Sequence, residues 1–194
     1  MKLTDIKRQS IIDGAIEEFQ KHGFRGATTT RIAKRANVSS RTLYKHFESK
    51  EVLFDAISEM VISQKSAVTI PPFDPSRGIE AQLTEALERY LEVVTEPVFM
   101  AVTRMVTAEM LIDLDRSRAY YAQLATFRNP IIQLVSEAME AGAIRKADPK
   151  YASRQLISLI RDFFFTSEFM LDQKEESDGV MSDCIKMFLA HYKT

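Results

Sequence analysis

The 194-residue sequence predicts an all-α protein of about nine helices. Apolar residues recur at three- and four-residue spacing through most of the chain, and we find no alternating apolar–polar run. Glycine and proline are few, at six each, so most segments can continue as helices. A hydrophobic content of 45% is sufficient to form a core, and 27% charged residues is ordinary for a globular protein.

Composition argues against several classes of protein. The sequence lacks the long apolar run of a membrane span, and its start, MKLTDIKRQS, lacks the apolar core of a signal peptide, so we expect no membrane association and a cytoplasmic location. The three histidines lie apart from any carboxylate or cysteine cluster, and phosphate-loop and nucleophile motifs are absent. We therefore expect no enzyme activity, no cofactor and no metal site.

The first two helices are predicted from apolar spacing and from their ends. The first covers about residues 4–22, with Ile12, Ala15, Ile16 and Phe19 on one face, and Gly23 stops it. The second follows the threonines at 28–30, which can cap its N-terminus, and continues to residue 36.

The third helix completes a helix-turn-helix pattern. Asn37 lies in the turn, where a left-handed backbone is often required, and Ser39 can cap a helix over 40–47. Leu43 and Phe47, one turn apart, point inward, and small Ala33 allows close crossing. The expected domain therefore covers residues 1–50, and a fourth helix over 50–66 connects it to the remainder.

The second domain is predicted over residues 51–194. The segment 69–78, TIPPFDPSRG, has three prolines and a glycine and is predicted to be a linker. Helices are expected at about 76–95, 97–112, 115–141, 149–171 and 178–192, with Asp148 capping the fourth of these. Pro130 should kink the 115–141 helix or divide it.

Charge and helical geometry indicate what the first domain binds. Residues 1–54 hold eleven Lys and Arg against six Asp and Glu, and the remaining residues are net acidic. Residues of a helix are about 100° apart, so the inward Leu43 and Phe47 direct Arg41 and Lys45 outward. A helix that enters the DNA major groove needs such exposed donors.

The stretch GATTTRIAKRANVSSRTLYKHFESKEVL, residues 26–53, resembles the DNA-binding domain of the tetracycline-repressor (TetR) family of bacterial regulators. The matching pattern runs from Thr30 and Ile32-Ala33 through Thr42-Leu43-Tyr44 to Ser49-Lys50. Asn37 stands where many relatives have glycine. The length of the chain and its helical remainder fit the same family.

The resemblance implies residue roles, a palindromic double-stranded operator and no catalytic residue. Base contacts are implied for Ser40, Arg41, Thr42 and Lys45. Phosphate contacts are implied for Thr28, Thr29, Tyr44, His46 and Lys50. A homodimer through the last two helices is also implied, and the segments 152–171 and 183–192 are apolar on more than one face.

The resemblance further implies a pocket for an unidentified small molecule among the middle helices. The candidates are Met60, Tyr90, Phe99, Met100, Thr103, Arg104, Thr107, Met110, Tyr121, Phe127 and Phe164. A ligand that lowers operator affinity would make the protein a repressor.

Several alternatives stay open at this point. Each pocket candidate can also be ordinary core, which is the commoner role of Met and aromatic residues at helical spacing. Arg104 can pair within the protein, which we favour, or contact an anionic ligand. Cys184 can act as a thiol sensor or as an inert buried thiol. The chain can also be a DNA binder without an inducer, associated with the nucleoid or with division.

Overall fold

The computed structural model describes residues 3–66, 68–126, 130–173 and 179–193, and these contain helices and no strand. The all-α prediction is confirmed. The helices are α1 (Leu3–Gly26), α2 (Thr29–Arg35), α3 (Ser40–His46), α4 (Lys50–Ser66), α5 (Ile79–Val94), α6 (Pro97–Met110), α7 (Leu114–Thr126), α8 (Pro130–Glu140), α9 (Pro149–Arg161), α10 (Ser167–Leu171) and α11 (Val180–Tyr192). A π-helical turn, Asp162–Thr166, joins α9 to α10 without a break.

Helix ends lie close to the predicted positions, because local residues determine them. Ser39 caps α3 and Asp148 caps α9, each by accepting a backbone N–H bond near the first turn. Gly23 has φ 67° and interrupts α1, as the predicted stop requires. The predicted helix over 115–141 is described as two helices, and the second begins at Pro130.

One compact unit comprises residues up to 63 together with 101–126. Its core contains a cluster of three rings, Phe19, Phe24 and Phe54, whose centroids lie 4.9–5.9 Å apart. The guanidinium of Arg116 on α7 lies over Phe24 and Phe54, and its Nη1 is 2.6 Å from the Asp55 carboxylate. Arg116 thus fastens α7 to α4 and to the end of α1.

The other compact unit comprises residues 64–100 and the chain from 127 onward. The segment predicted as a linker, 69–78, is held within it: the Phe73 N–H donates to Glu137 on α8 at 2.7 Å, and the Asp74 N–H donates to buried Gln82 on α5 at 2.8 Å. The central side chains of this unit are buried; they include Leu83, Leu87, Leu134, Leu156, Ile160, Ile185 and Phe188.

The π-helical turn places the three consecutive phenylalanines of the second unit. Inserting a residue into the helical ladder rotates the following side chains relative to those of α9. Phe163 is 44% exposed, whereas Phe165 stacks on Phe169 with ring centroids 5.0 Å apart. The rings of Phe163 and Phe165 therefore have different surroundings.

In the described part of the chain, every helix is too short or too polar to cross a membrane. The predicted boundary at residue 50 separates the residues assigned to DNA binding from those assigned to ligand binding and dimerisation. This functional boundary stays a prediction.

Candidate nucleic-acid interface

The turn between α2 and α3 has the geometry that a helix-turn-helix needs. Asn37 has φ 52°, which confirms the left-handed backbone expected there. The Asn37 N–H donates to the Lys34 carbonyl, and the Val38 N–H donates to the Ala33 carbonyl at 3.0 Å. These two bonds form the Schellman ending of a helix, which satisfies the last carbonyls of α2 and sets the direction of the chain into α3.

The inner face of α3 is anchored as predicted. Leu43 and Phe47 are buried, and the guanidinium of Arg8 lies 4.9 Å from the centre of the Phe47 ring. Ser39 accepts the Thr42 N–H through its hydroxyl at 3.1 Å. The orientation of α3 therefore depends on its cap and on two apolar residues one turn apart.

The outer face of α3 carries the predicted base-contact residues. Ser40, Arg41 and Lys45 are exposed, and Thr42 is half-buried. The Thr42 hydroxyl lies 2.9 Å from the Ser39 hydroxyl, so a base contact from Thr42 would have to share or break that bond. The exposed trio can reach bases without such rearrangement, and these four contacts stay a prediction.

Four of the predicted phosphate-contact residues lie on or beside α2 and α3. Thr28 caps α2, accepting the Arg31 N–H at 3.3 Å. The Thr29 hydroxyl lies 3.0 Å from the hydroxyl of Tyr44, a ring that is 51% exposed. His46 is half-buried at the end of α3. The Thr29–Tyr44 pair brings hydroxyls from both helices to one point, which suits a shared phosphate.

Lys50 has a structural role that the sequence did not indicate. Its ammonium donates to the carbonyls of Phe24 at 2.7 Å and Ala27 at 3.1 Å, and it lies 4.5 Å from the centre of the Phe24 ring. An ammonium has three donors, so one N–H remains for a phosphate. Lys50 therefore joins α4 to the end of α1 whether or not it contacts DNA.

A buried ion-pair cluster at Glu18 also went unrecognised in the sequence. The Glu18 side chain is fully buried and accepts bonds from Arg31 and from Arg35, the latter at 2.9 Å. Burial by itself raises the pKa of the Glu18 carboxyl, but the hydrogen bonds from the two arginines outweigh it, and the resulting pKa lies below the usual value. The available signal was a carboxylate on the apolar stripe of α1, between Ala15 and His22, where it requires cationic partners.

Gly14 allows α1 to approach α2 closely. A Cβ at this position would lie 3.0 Å from the Ala36 nitrogen and 3.3 Å from the Ile32 carbonyl oxygen. A larger side chain would push α2 away, since both neighbours are backbone atoms. The position of α2, and with it that of α3, depends on this glycine.

The predicted ligand-pocket residues differ in burial and are divided between the two units. Phe99, Met100, Thr103 and Met110 are buried, whereas Met60, Tyr90, Arg104, Thr107 and Phe164 are half-buried and Tyr121 is 66% exposed. Phe127 lies outside the described residues. Arg104 lines a cleft of about 630 Å³, and Met110 lines another of about 420 Å³. The pocket stays a prediction.

Two buried polar groups bear on the alternatives left open by the sequence. The Thr103 hydroxyl oxygen is buried and has no hydrogen-bond partner among the described residues, which is unusual for a buried hydroxyl. Cys184 is buried, and its thiol lies 3.4 Å from the Leu159 carbonyl. Burial raises the pKa of the Cys184 thiol, which disfavours the thiolate that a thiol sensor needs.

Family models match both parts of the chain. The model described as "Bacterial regulatory proteins, tetR family" matches residues 11–57, which contain α2, α3 and most of α1. The model described as "AefR-like transcriptional repressor, C-terminal domain" matches residues 81–194, more than half of the chain.

Individual proteins are similar over most of their length. The uncharacterized HTH-type transcriptional regulator YhgD of Bacillus subtilis is 24% identical over 170 residues, which cover 84% of each chain. The structure of a TetR family transcriptional regulator from Pseudomonas syringae pv. tomato has a TM-score of 0.81 at 27% identity and covers 96% of each chain. The transcriptional regulator FadR from Bacillus subtilis, solved with stearoyl-CoA, has a TM-score of 0.67 at 17% identity, over 94% of this chain and 97% of FadR, and shares the fold.

Proposed function

Because this chain belongs to the TetR family of bacterial transcriptional regulators, with an AefR-like C-terminal domain, we propose that it is a dimeric repressor that a small molecule releases from its operator. Membership makes it a DNA-binding regulator with a helix-turn-helix and not an enzyme. Repression, the ligand and the residues involved belong to the proposal. We expect this protein to act in the cytoplasm, where bacterial operator DNA is located.

The outer face of α3 is the main observation in support of sequence-specific DNA binding. Arg41 and Lys45 are exposed on a helix whose other face is anchored by buried Leu43 and Phe47. An arginine on such a face can donate two hydrogen bonds to guanine in the major groove. Thr28, Thr29, Tyr44 and His46 lie where they can hold the flanking phosphates and set the register.

A dimer is proposed through α9, α10 and α11. Exposed apolar side chains in this region include Phe163 at 44%, Met170 at 69%, Leu171 at 64% and Met187 at 62%. Exposed apolar surface of this kind favours association with a second copy. The two α3 helices of such a dimer must lie about 34–36 Å apart, or a multiple of that, to contact successive major grooves of a palindrome.

The proposed ligand acts by binding one state of the dimer more tightly than the other. The unpartnered buried hydroxyl of Thr103 supports a polar group or a water in the predicted pocket. The stearoyl-CoA in the FadR structure supports a small-molecule effector for this chain, without indicating its class. The alternative, a DNA binder without an inducer, predicts that no ligand changes operator affinity.

Operator binding by an Arg41→Ala variant tests the proposal. Genome-wide mapping of bound DNA identifies the operator, and fluorescence anisotropy then compares operator with random DNA over a range of salt. We expect Arg41→Ala to lose about 10- to 100-fold in the ratio of operator to random affinity, because one base contact is worth about 1–3 kcal/mol. Arg118→Ala, a change at an exposed arginine on α7, is the matched control and should leave this ratio unchanged.

Two outcomes would count against the proposal. An equal loss on operator and random DNA would mean that Arg41 makes only electrostatic contact, whose signature is a reduced salt slope. Operator binding that persists unchanged across a broad panel of apolar and amphipathic compounds would favour the DNA binder without an inducer.

A further inference from the structure

A cleft of about 630 Å³ lies within the first compact unit, between residues 19–25 of α1 and residues 101–112 on and just after α6. Its volume falls in the range of small-molecule pockets, roughly 300–1,000 Å³. Of its lining residues, only Arg104 belongs to the pocket that the sequence predicted. The cleft is thus a separate candidate site from the one expected among the middle helices.

The two walls of the cleft are mainly apolar. Ala101, Met105 and Ala108 line the α6 side, and their spacing of four and three residues places them in one stripe along the helix. Phe19 and Phe24 line the α1 side. Two rings and a thioether, with two small alanines that leave space beside them, suit a flat aromatic molecule.

Two charged residues flank this stripe on opposite edges of α6. Successive helical residues are about 100° apart, so Arg104 lies about 70° to one side of the stripe and Glu109 about 70° to the other. Arg104 already has an interaction partner within the protein, and it is half-buried. Its charge therefore does not require an anionic ligand, and the chemistry of the cleft depends on the Glu109 edge.

Glu109 is a buried acid that lacks a short-range partner. The residue is only 7% exposed, and among the described residues its carboxylate forms no hydrogen bond or ion pair. Nearly all buried polar groups are hydrogen-bonded, because an unsatisfied one costs free energy. The Glu109 carboxylate lines the cleft, so a molecule bound there can supply the missing donor.

The charges around the cleft favour a ligand without net charge. Arg25 lines the cleft and is exposed, and the Lys50 ammonium lies 4.5 Å from the centre of the Phe24 ring. These cations offset the charge of Glu109 at longer range, so a cationic ligand would meet like charges as well as the carboxylate. An anionic ligand would bring a second negative charge to a cleft whose half-buried guanidinium is already engaged.

We propose that this cleft binds an uncharged phenol, whose ring lies between the α1 and α6 walls and whose hydroxyl donates to the Glu109 carboxylate. A hydrogen bond to an ionised acceptor is roughly twice as strong as a bond between neutral groups. An aromatic molecule without a donor would exclude water from Glu109 and leave it unsatisfied, which is costly. The phenol fills the apolar space and satisfies the one buried carboxylate of the cleft.

The α1 wall of the cleft is connected to the helix-turn-helix. His22 lines the cleft, and its Nε2 lies 3.8 Å from the Glu18 carboxylate, which holds two arginines of α2. The carbonyl of Phe24 accepts from Lys50 at the start of α4. A ligand that fixes residues 19–25 therefore acts on the position of α2 and α4. This regulatory consequence rests on the proposed function, whereas binding in the cleft does not.

Fluorescence titration with three matched probes tests the ligand class on the full-length protein. The chain has no tryptophan, so naphthalene emission can be followed against a low protein background. The probes are 2-naphthol, 2-methoxynaphthalene, which lacks the donor, and 2-naphthylmethylamine, which is a cation at neutral pH. We expect 2-naphthol to bind, and 2-methoxynaphthalene to bind about 10- to 100-fold more weakly, because it loses a hydrogen bond to a charged acceptor. The amine should bind more weakly than 2-naphthol.

Three results of this titration would overturn the proposal. Absence of 2-naphthol binding would mean that the cleft is not a site for such a ring. Equal affinity for 2-naphthol and 2-methoxynaphthalene would mean that no donor is recognised. Tighter binding of the amine than of 2-naphthol would assign the cleft to organic cations.

A pair of alanine substitutions locates the bound probe. Ala108→Phe fills the cleft and should abolish 2-naphthol binding. Ala122→Phe, at another exposed helical alanine of the same unit, should leave the affinity unchanged. Unchanged binding in a folded Ala108→Phe protein would refute the site, and if circular dichroism shows that this variant does not fold, substitution of Glu109 decides the matter.

Glu109→Met tests the proposed hydrogen bond, because methionine keeps the length of the side chain and removes the carboxylate. The affinity for 2-naphthol should fall about tenfold or more, and 2-methoxynaphthalene should bind at least as tightly as it does to the wild type. Urea unfolding should show no loss of stability, whereas a loss would show that the carboxylate already has a structural partner and would overturn the proposal. Glu59→Met, at an exposed glutamate of α4, is the matched control and should leave both affinities unchanged.

Operator binding measured on the same preparations separates this proposal from the proposed function. If the protein binds no specific DNA, the repressor proposal fails, and the titration still decides whether the cleft is a site. If 2-naphthol binds in the cleft and leaves operator affinity unchanged, the site stands and only its coupling to DNA binding is refuted.

Discussion

The change Glu18→Gln should loosen the attachment of α1 to α2 while preserving the size of the side chain. Glu18 is fully buried and holds both Arg31 and Arg35 through its two carboxylate oxygens. Glutamine keeps one acceptor oxygen, replaces the other with a donor and removes the negative charge. The two arginines then face an amide N–H group in the position of an acceptor.

The exposure of the arginines determines the expected magnitude. Breaking a fully buried ion pair by removing one partner costs about 3–5 kcal/mol. The side chains of Arg31 and Arg35 are 46% and 30% exposed, so water can rehydrate part of their charge, and glutamine retains one bond. We therefore expect a loss of about 2 kcal/mol in the free energy of unfolding, a decrease of about 4–8 °C in Tm for a chain of this size.

Urea unfolding followed by circular dichroism, at fixed protein concentration and several pH values, measures this loss. The folded Glu18 pKa lies below its unfolded value near 4.5, so its stabilisation is present above that value and is lost as the pH falls through the folded pKa. The difference between wild type and Glu18→Gln should therefore shrink as the pH falls below about 4.5.

Glu17→Gln is the matched control, because the neighbouring Glu17 undergoes the same chemical change on the surface. Its side chain is 65% exposed and lies 3.3 Å from the Arg35 Nη1, so the expected loss is within about 0.5 kcal/mol. Equal destabilisation by the two variants, or a pH-independent effect of Glu18→Gln, would refute the assignment of Glu18 as the electrostatic link between α1 and α2.

Three further variants test local geometry, each by urea unfolding. Asn37→Val should lower the free energy of unfolding by about 1–2 kcal/mol, because a β-branched residue resists the left-handed backbone. Asn37→Gly should retain stability. Equal losses in the two variants would contradict the left-handed requirement at this position. Gly14→Ala should lower stability, because crowding against α2, at about 1–3 kcal/mol, exceeds the roughly 1 kcal/mol gained in helix propensity. The control Gly78→Ala has open space around it and should not lower stability. A stabilised Gly14→Ala would show that α2 can move aside. Lys50→Met should lower the free energy of unfolding by about 2 kcal/mol, because it removes two bonds to carbonyls. It should also weaken the affinity for operator and random DNA equally, as measured by anisotropy. Unchanged stability would refute the structural role of Lys50.

Features determined by neighbouring residues were predicted from the sequence. The all-α class, the caps at Ser39 and Asp148, the left-handed Asn37 and the inward Leu43 and Phe47 each depend on contacts within about one helical turn. The family was also indicated by a short motif, because residues 26–53 combine these local requirements at fixed spacing. Outward placement of Arg41 and Lys45 follows from the same periodicity.

The sequence by itself thus determined the helices, their ends and the face that α3 presents, since helix formation and capping are local. Only the tertiary structure decided which cations reach Glu18, how closely α2 approaches Gly14, and that Lys50 binds carbonyls more than 20 residues away. It also formed the cleft between α1 and α6, whose walls are some 80 residues apart in the chain. Such contacts depend on how helices pack in three dimensions, and helical periodicity specifies only which face of a helix is buried, not which residues it meets.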